Sequence, residues 1–313
     1  MGKTAFIYPG QGAQYIGMGK DVAEKYQSAD NIFKSATKSL GFDIEELIFN
    51  GDEEMLTITE NTQPALLTTC TALTQPLLEN GIAPDISAGL SIGEYAAHVT
   101  AGTFLFEDAV RIVRARGKYM QGEVPVGEGG MAAILGLDTE TVEEICSQVA
   151  GGGAGMAIEP ANYNCPGQIV IAGNIKAVET ACDLCGKRGA KRAAMLAVSA
   201  PFHCSLLKGA GEKLEKDLAG ISFFDMKIPV VSNVSAQIID DPAHVAKSLV
   251  NQVCNPVKWE QCVRTMIGFG VDLFIEIGPG KTLAGFIKRI DKGVKTLNVS
   301  DAESLEKVLA SLT

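Results

Sequence analysis

The stretch Asp85-Ile86-Ser87-Ala88-Gly89-Leu90-Ser91-Ile92-Gly93-Glu94-Tyr95 decides how this chain is expected to fold. A short β-like run ends in a Gly-x-Ser-x-Gly pattern, and helix-compatible residues follow it. In this order, strand, tight turn and helix form the context in which a serine is raised from an α/β sheet as a nucleophile. The two glycines are expected where a Cβ would clash, and the first helical N–H groups then face whatever the hydroxyl attacks.

The same five residues also fit an ordinary β–α turn with an idle serine, so a base must be found elsewhere. The chain has three histidines. His98 lies two turns further along the helix that follows Ser91, about 10 Å away, and cannot take its proton. His244 follows a polar helix start and is expected to be exposed. His203 comes just past the end of a predicted strand, where ligands of α/β sheets collect, and is the best candidate base.

Composition and charge exclude several classes of protein. The chain has 313 residues, 46% of them hydrophobic, which is enough for one or two domains with a large core. A formal net charge of −10 leaves no basic excess for binding nucleic acid. The N-terminus lacks the apolar run of a signal peptide, and no apolar run is long enough to span a bilayer. A cytoplasmic protein is expected, and Cys182-x-x-Cys185 is expected to hold core thiols rather than a metal.

The alternation of strand-like and helix-like segments predicts an α/β fold built of two parts. Residues 1–126 and 199–313 are expected to form a large doubly wound domain, which includes a helix over residues 22–40 and a strand over residues 230–233. Between them, residues 127–198 are expected to form a small domain with the element order β-α-β-β-α-β. Its predicted segments are 131–137, 139–150, 156–162, 168–172, 174–187 and 192–198. This order is that of a complete split-βαβ unit, inserted into the larger domain.

Two glycine-rich turns are weak matches to nucleotide-binding motifs. Gly10-Gln11-Gly12 follows the first strand, but the third glycine of a dinucleotide fingerprint is replaced by Tyr15. The stretch Gly278-Pro279-Gly280-Lys281-Thr282 resembles the end of a P-loop, but the first glycine of that motif is replaced by Ile275. The first turn is therefore expected to present backbone N–H groups to a ligand, and the second to lead into a helix.

Further motifs run from one end of the chain to the other. They are Pro9-Gly10-Gln11-Gly12, Thr62-Gln63-Pro64-Ala65, Gly89-Leu90-Ser91-Ile92-Gly93-Glu94, Arg116-Gly117, Asn162-Tyr163-Asn164-Cys165-Pro166-Gly167-Gln168, Ala200-Pro201-Phe202-His203, Asn255-Pro256-Val257 and Gly278-Pro279-Gly280. In combination they resemble the malonyl-CoA:acyl carrier protein transacylases of bacterial fatty-acid synthesis. The resemblance implies a hydrolase-like large domain with a ferredoxin-like insert, in agreement with the two parts predicted above, and a monomer.

The resemblance also assigns the catalytic roles. Ser91 would be the acylated nucleophile and His203 its base. The main-chain carbonyl of Gln252 would orient the His203 ring, in the place of the acid of a full triad. The backbone N–H groups of Gln11 and Ile92 would form the oxyanion hole.

Substrate contacts follow from the same resemblance. Arg116 would bind the malonyl carboxylate, while Gln63 and Asn162 would line the pocket. Phe202 resembles the version of its segment that selects malonyl over branched acyl groups. The chain departs from many family members at Leu90, where they have histidine, and this change leaves the serine–histidine pair intact.

The implied reaction moves a malonyl group from malonyl-CoA to the phosphopantetheine thiol of acyl carrier protein through a malonyl-serine ester, with no metal or redox cofactor. The carrier is expected to be acidic and to dock on local cations, namely Lys187, Arg188, Lys191, Arg192, Lys288 and Arg289. A stand-alone acyltransferase that loads a polyketide synthase is a close alternative. A serine hydrolase is more distant, because it needs an acid between serine and histidine in sequence. A nucleotide-binding module using residues 278–282 is the weakest alternative.

Overall fold

Two β-sheets organise the chain in the computed structural model, which describes residues 2–152, 156–198 and 200–312. The strands are β1 (Lys3–Tyr8), β2 (Ile86–Gly89), β3 (Gly129–Leu135), β4 (Ile158–Cys165), β5 (Gln168–Asn174), β6 (Arg192–Met195), β7 (Val230–Val231), β8 (Ile238–Ile239), β9 (Val271–Ile277) and β10 (Lys295–Val299). The larger sheet has the order β10-β9-β1-β2-β7-β8 and is parallel apart from the β7–β8 pair. The smaller sheet, β4-β5-β3-β6, is antiparallel.

Helices cover both faces of the larger sheet and pack on the smaller one. They are α1 (Lys20–Lys25), α2 (Gln27–Leu40), α3 (Ile44–Asn50), α4 (Glu53–Thr57), α5 (Thr59–Glu79), α6 (Gly93–Ala101), α7 (Phe106–Glu123), α8 (Thr139–Gly151), α9 (Ile175–Lys187), α10 (Lys208–Leu218), α11 (Val245–Cys254), α12 (Trp259–Gly268), α13 (Thr282–Ile290) and α14 (Ala302–Leu312). The last four residues of β1 are fully buried, as a central parallel strand with helices on both faces requires. The fold is therefore α/β, as predicted.

The smaller sheet has the predicted element order, β3-α8-β4-β5-α9-β6. Its spatial order, with the first strand between the third and fourth, is that of a ferredoxin-like split-βαβ unit. The chain division at residues 126/127 and 198/199 stays a prediction, and residue 199 itself lies outside the described residues. A backbone bridge joins the small sheet to the segment before α12, because the Tyr163 N–H donates to the Val257 carbonyl and the Val257 N–H to the Ala161 carbonyl.

Several predicted elements differ from those observed. The helix expected over residues 22–40 is two helices, because Tyr26 adopts an extended conformation between them. The strand expected over 192–198 ends at Met195, and Leu196 and Val198 beyond its end line a cavity. The strand expected over 230–233 pairs only at its first two residues. Strand β10 and helix α14 were not predicted.

The turn after β2 is as tight as its glycines predict. A Cβ on Gly89 would lie 1.9 Å from the carbonyl carbon of Gly93, and one on Gly93 would lie 2.3 Å from the carbonyl oxygen of Tyr8. Between them Ser91 has φ 55°, in the left-handed region that L-residues rarely adopt. The turn therefore places the Ser91 hydroxyl at the carboxyl edge of β2, next to the Gly10–Gly12 turn that follows β1.

Candidate active site

Ser91, His203 and Gln252 form a hydrogen-bonded chain at the carboxyl edge of the larger sheet. Ser91 Oγ lies 2.6 Å from His203 Nε2, and His203 Nδ1 lies 2.8 Å from the main-chain oxygen of Gln252. Because a carbonyl oxygen only accepts, we assign the ring proton to Nδ1, which leaves Nε2 free to accept the Ser91 proton. His203 has φ 61°, a strained conformation of the kind that clusters at functional sites.

The environment of His203 keeps its imidazole neutral. The pKa of the ring is lowered to about 3, mainly by burial and also by the nearby Arg116 charge, while the hydrogen bond to the Gln252 carbonyl opposes both. Since the neutral ring is the form that takes a proton, His203 is able to accept one over the whole physiological pH range.

The other two histidines cannot serve Ser91. The His98 ring is fully buried and its Nδ1 lies 3.1 Å from Thr103 Oγ1. The His244 side chain is 76% exposed and lies beside Asp241. The placement of His244 confirms the prediction that it is exposed.

Arg116 places a buried cation beside the nucleophile. Its side chain is only 1% exposed, and its Nη2 donates to Ser91 Oγ at 3.2 Å and to Gln252 Oε1 at 2.8 Å. Its Nη1 donates to Gln63 Oε1 at 2.7 Å. Among the residues that the structure describes, no carboxylate forms an ion pair with it. A guanidinium held this way is able to pair with an anionic group that enters beside Ser91.

The backbone around Gly117 explains how Arg116 comes to be buried. A Cβ at Gly117 would lie 2.8 Å from Glu60 Cα and from the Thr59 carbonyl oxygen, so α7 approaches the start of α5 closely only because glycine stands there. The exposed Arg111, on the same helix, pairs instead with Asp108. The two arginines of one helix thus have different surroundings.

Two backbone N–H groups lie on turns that pack together next to Ser91. A Cβ on Gly10 would lie 2.8 Å from the Leu90 carbonyl oxygen, so the turn after β1 is in close contact with the turn after β2. Neither the Gln11 nor the Ile92 N–H donates to another protein group within the described part of the chain. Their role as the oxyanion hole stays a prediction, which this packing supports.

These groups line one cavity of about 810 Å³ between the two sheets. Every residue predicted for the site lines it except Gln252, which lies behind it. The lining residues with predicted roles are Gln11, Gln63, Ser91, Ile92, Arg116, Asn162, Phe202 and His203. The outer wall is apolar, and it includes Val126, Met131, Ile175, Leu196 and Val198. The cavity therefore joins a polar, charged floor to an apolar mouth.

Three polar groups under the site escaped sequence reasoning, namely the side chains of Glu94, Asn233 and Gln252. Asn233 donates through Nδ2 to the Gly89 carbonyl and accepts the Ser91 N–H through Oδ1, so it fixes the turn from below. Gln252 Nε2 donates to the Ser91 carbonyl and to Glu94 Oε2. Glu94 offered a signal, because an acidic residue stands in the otherwise apolar start of α6. For Asn233, the only signal in the sequence was its position at the end of a predicted strand.

The structure also bears on metal and membrane binding. Within residues 2–152, 156–198 and 200–312, no group of three or more His, Cys, Asp or Glu side chains is placed to hold a metal ion. In the same residues, no helix combines the length and the apolar character needed to cross a bilayer. Cys182 and Cys185 are both free thiols.

Known proteins match this chain over nearly its full length. The family model described as acyl transferase domain matches residues 5–308. The malonyl CoA-acyl carrier protein transacylase of Bacillus subtilis strain 168 is 47% identical over 312 residues, which cover 100% of this chain and 98% of that protein. The solved structure of the transacylase of the same name from Clostridium perfringens is 46% identical with a TM-score of 0.94, covering 99% of this chain and 97% of that one. A solved complex of a type II polyketide synthase acyl-carrier protein with its malonyl-transacylase matches at 43% identity and a TM-score of 0.95, covering 99% of each chain.

Proposed function

Since this chain belongs to the acyl transferase family, we propose that it moves the malonyl group of malonyl-CoA to the phosphopantetheine thiol of an acyl carrier protein in fatty-acid synthesis. The observation that carries the proposal is the buried guanidinium of Arg116, which donates to the nucleophile Ser91 and has no carboxylate partner among the described residues. A malonyl group differs from an acetyl group by one terminal carboxylate, and Arg116 would pair with that carboxylate. The names of the relatives support the same substrate and carrier.

The first half-reaction is attack of Ser91 Oγ on the thioester carbonyl carbon. His203 Nε2 takes the hydroxyl proton as the new C–O bond forms, and the negative charge moves to the carbonyl oxygen. The Gln11 and Ile92 N–H groups would stabilise that oxygen, each by about 3 kcal/mol by analogy with other oxyanion holes. When the C–S bond breaks, His203 returns its proton to the departing sulfur, so that coenzyme A leaves as its thiol and malonyl-Ser91 remains.

The second half-reaction reverses these steps with a different thiol. The carrier's phosphopantetheine thiol gives its proton to His203 and attacks the ester, and Ser91 leaves with that proton. Protein side chains supply every proton transfer, so the proposed reaction needs no metal or redox cofactor. Phe202 lines the cavity beside His203 and limits the room for an α-methyl group, a discrimination of about 1–3 kcal/mol per methylene.

The surroundings of His203 favour transfer over a lipase-like hydrolysis. The Nδ1 atom faces a main-chain carbonyl rather than a carboxylate, so the site lacks the acid of the usual hydrolase triad. A neutral ester also offers no negative charge with which the buried Arg116 cation could pair. One similar transacylase was solved in complex with a polyketide synthase acyl-carrier protein. A polyketide synthase carrier is therefore the second candidate acceptor.

Intact-mass analysis after incubation with malonyl-CoA tests the proposal. We expect the protein to gain the mass of one malonyl group, and peptide mapping to place it on the peptide that contains Ser91. Adding a pantetheinylated carrier protein should remove the adduct and transfer it to the carrier. Free malonate released equally fast with and without the carrier would indicate a hydrolase instead. Comparing kcat/KM for a fatty-acid carrier and a polyketide carrier identifies the preferred acceptor.

The carrier-docking surface is proposed to be a basic patch where the small sheet meets α13. The patch consists of Lys187, Arg188, Lys191, Arg192, Lys288 and Arg289, all of them exposed. Arg289 donates to the Pro166 carbonyl and to Gln168 Oε1, which ties α13 to the β4–β5 turn. Lys191 packs near Gly136, whose N–H donates to the Gly167 carbonyl at the same turn. Lys191 and Arg289, from distant parts of the sequence, therefore both lie close to the β4–β5 turn.

The double change Lys187→Glu and Lys191→Glu is expected to raise KM for an acidic carrier protein about tenfold while KM for malonyl-CoA stays nearly constant. Charges at the rim of an interface mainly steer the encounter between proteins, so the wild-type KM for the carrier should also rise with salt. Steady-state kinetics over a range of salt concentrations measures both effects. Lys34→Glu is the matched control, since Lys34 is an exposed cation on α2. An unchanged, salt-insensitive KM for the carrier would place docking on another surface.

A further inference from the structure

Glu94 is a buried carboxylate that has no role in the reaction described above. It is fully buried at the start of α6, directly behind the nucleophile turn. Its Oε2 accepts from Gln252 Nε2 at 2.6 Å and from the Asn233 N–H at 3.1 Å. Its Oε1 has no hydrogen-bond donor among the described residues. A buried carboxylate with one oxygen unsatisfied is poorly stabilised as an anion, and protonation of that oxygen removes its charge.

The side-chain amide of Gln252 connects Glu94 to Arg116. Arg116 Nη2 donates to Gln252 Oε1 at 2.8 Å, while Gln252 Nε2 donates to Glu94 Oε2. The amide thus turns its acceptor to the cation and its donor to the anion. No nearer anion pairs with Arg116 in the described part of the chain, so Glu94 balances its charge across the amide when the cavity holds no acyl group.

The other ionisable groups around Glu94 carry no charge at neutral pH. His203 is neutral because burial and the Arg116 charge lower its pKa. Burial raises the pKa of Tyr95, on the same helix, and that of Cys262, on α12, above their ordinary values. Arg116 from α7 is therefore the single charge facing Glu94 among these neighbours.

We propose that Glu94 takes up a proton when a carboxylate-bearing acyl group binds to Arg116, and releases it when the acyl group leaves. Above neutral pH, the empty site holds one buried cation, Arg116, and one buried anion, Glu94. A bound malonyl carboxylate would add a second anion to a region that excludes water, and a proton on Glu94 restores neutrality. In this step the Glu94 carboxylate and one proton from the solvent become a carboxylic acid, and no other bond changes. The inference rests on the proposed function, since it needs a dicarboxylic acyl substrate.

The direction of the pKa shift at Glu94 agrees with this coupling. Burial raises the pKa of Glu94 to about 7, and the Gln252 and Asn233 hydrogen bonds together with the Arg116 charge hold it from rising further. A carboxylate bound to Arg116 cancels the effect of that charge, so the pKa of Glu94 is higher in the complex than in the empty site. Binding therefore takes up protons above about pH 7, and malonyl affinity falls with rising pH by at most about tenfold per pH unit.

Calorimetry on the Ser91→Ala protein measures the proton directly, because this variant keeps Arg116 and Glu94 but cannot be acylated. Malonyl-CoA is titrated at about pH 8 in two buffers of different ionisation enthalpy, and acetyl-CoA is the control for protons bound by coenzyme A itself. We expect malonyl-CoA to take up more protons than acetyl-CoA, with an excess of at most one proton per site. In the double variant Ser91→Ala/Glu94→Gln, the excess should vanish, and malonyl-CoA affinity should no longer fall between about pH 7 and 9.

The matched control is Ser91→Ala/Glu179→Gln, which changes an exposed glutamate on α9 and should keep the excess proton. An equal proton count for both thioesters, or an excess that survives Glu94→Gln, would overturn the proposal. Should Glu94→Gln fail to fold, the malonyl–acetyl difference in Ser91→Ala still decides. Malonyl-CoA that binds without proton uptake contradicts only the coupling, whereas malonyl-CoA that neither binds Ser91→Ala nor acylates the wild type contradicts the proposed function.

Discussion

Replacing Ser91 with alanine is expected to abolish both the covalent malonyl adduct and transfer to the carrier, and replacing His203 with alanine to slow acylation by several orders of magnitude. The two side chains are joined by a hydrogen bond of 2.6 Å, and a nucleophile and its base act as a unit, so losing either one removes most of their joint contribution. Mass spectrometry of the adduct and rapid-quench kinetics with malonyl-CoA measure the two effects.

His244→Ala is the matched control for the base, because its exposed imidazole lies outside the cavity. It should acylate at the wild-type rate. Thermal unfolding of Ser91→Ala should stay close to wild type, since alanine removes only the hydroxyl from the turn. Malonylation of the Ser91→Ala protein on a cysteine, or a near-normal acylation rate in His203→Ala, would contradict the assignment of nucleophile and base.

The nucleophile turn could be predicted because its signal is local. A side chain on Gly89 would clash with Gly93, and one on Gly93 would clash with the end of β1. The five-residue pattern and the strand before it were therefore enough to predict the turn. The base followed from a short list, since the chain has three histidines and helix geometry removed His98. The resemblance to a known family then supplied Arg116 and Gln252, whose neighbours in sequence carry no comparable signal.

The hydrogen-bonded groups beneath the site could not be predicted in the same way. Glu94, Asn233 and Gln252 come from α6, the segment after β7 and α11, and only the folded chain brings them together. Hydrophobic periodicity identifies elements but not which polar side chains meet across them. The same limit applies to Arg116. Several cations on one helix indicate a solvent-exposed face, whereas Arg116 is buried because Gly117 allows α7 to approach α5 closely.

Arg116→Ala is expected to lower kcat/KM for malonyl-CoA by at least about 100-fold, which corresponds to roughly 3 kcal/mol for a buried charge-assisted pair. Acetyl-CoA should be much less affected, or even improve, because it presents no carboxylate and the unpaired cation is gone. Arg116→Lys should rescue malonyl transfer only in part, since an ammonium cannot pair both carboxylate oxygens as a planar guanidinium does. Steady-state kinetics with both thioesters in the three proteins measures this selectivity.

The Arg111→Ala variant is the matched control, because Arg111 lies on the same helix but its side chain is 52% exposed. It should leave both substrates unchanged. Removing Arg116 also removes the positive charge that opposes Glu94, and a proton on Glu94 then keeps the site free of an unpaired buried anion. Arg116→Ala should therefore stay folded, so a selective loss of malonyl transfer reports on substrate recognition. An equal drop for malonyl-CoA and acetyl-CoA would mean that Arg116 supports the fold or binds coenzyme A, and that another residue recognises the carboxylate.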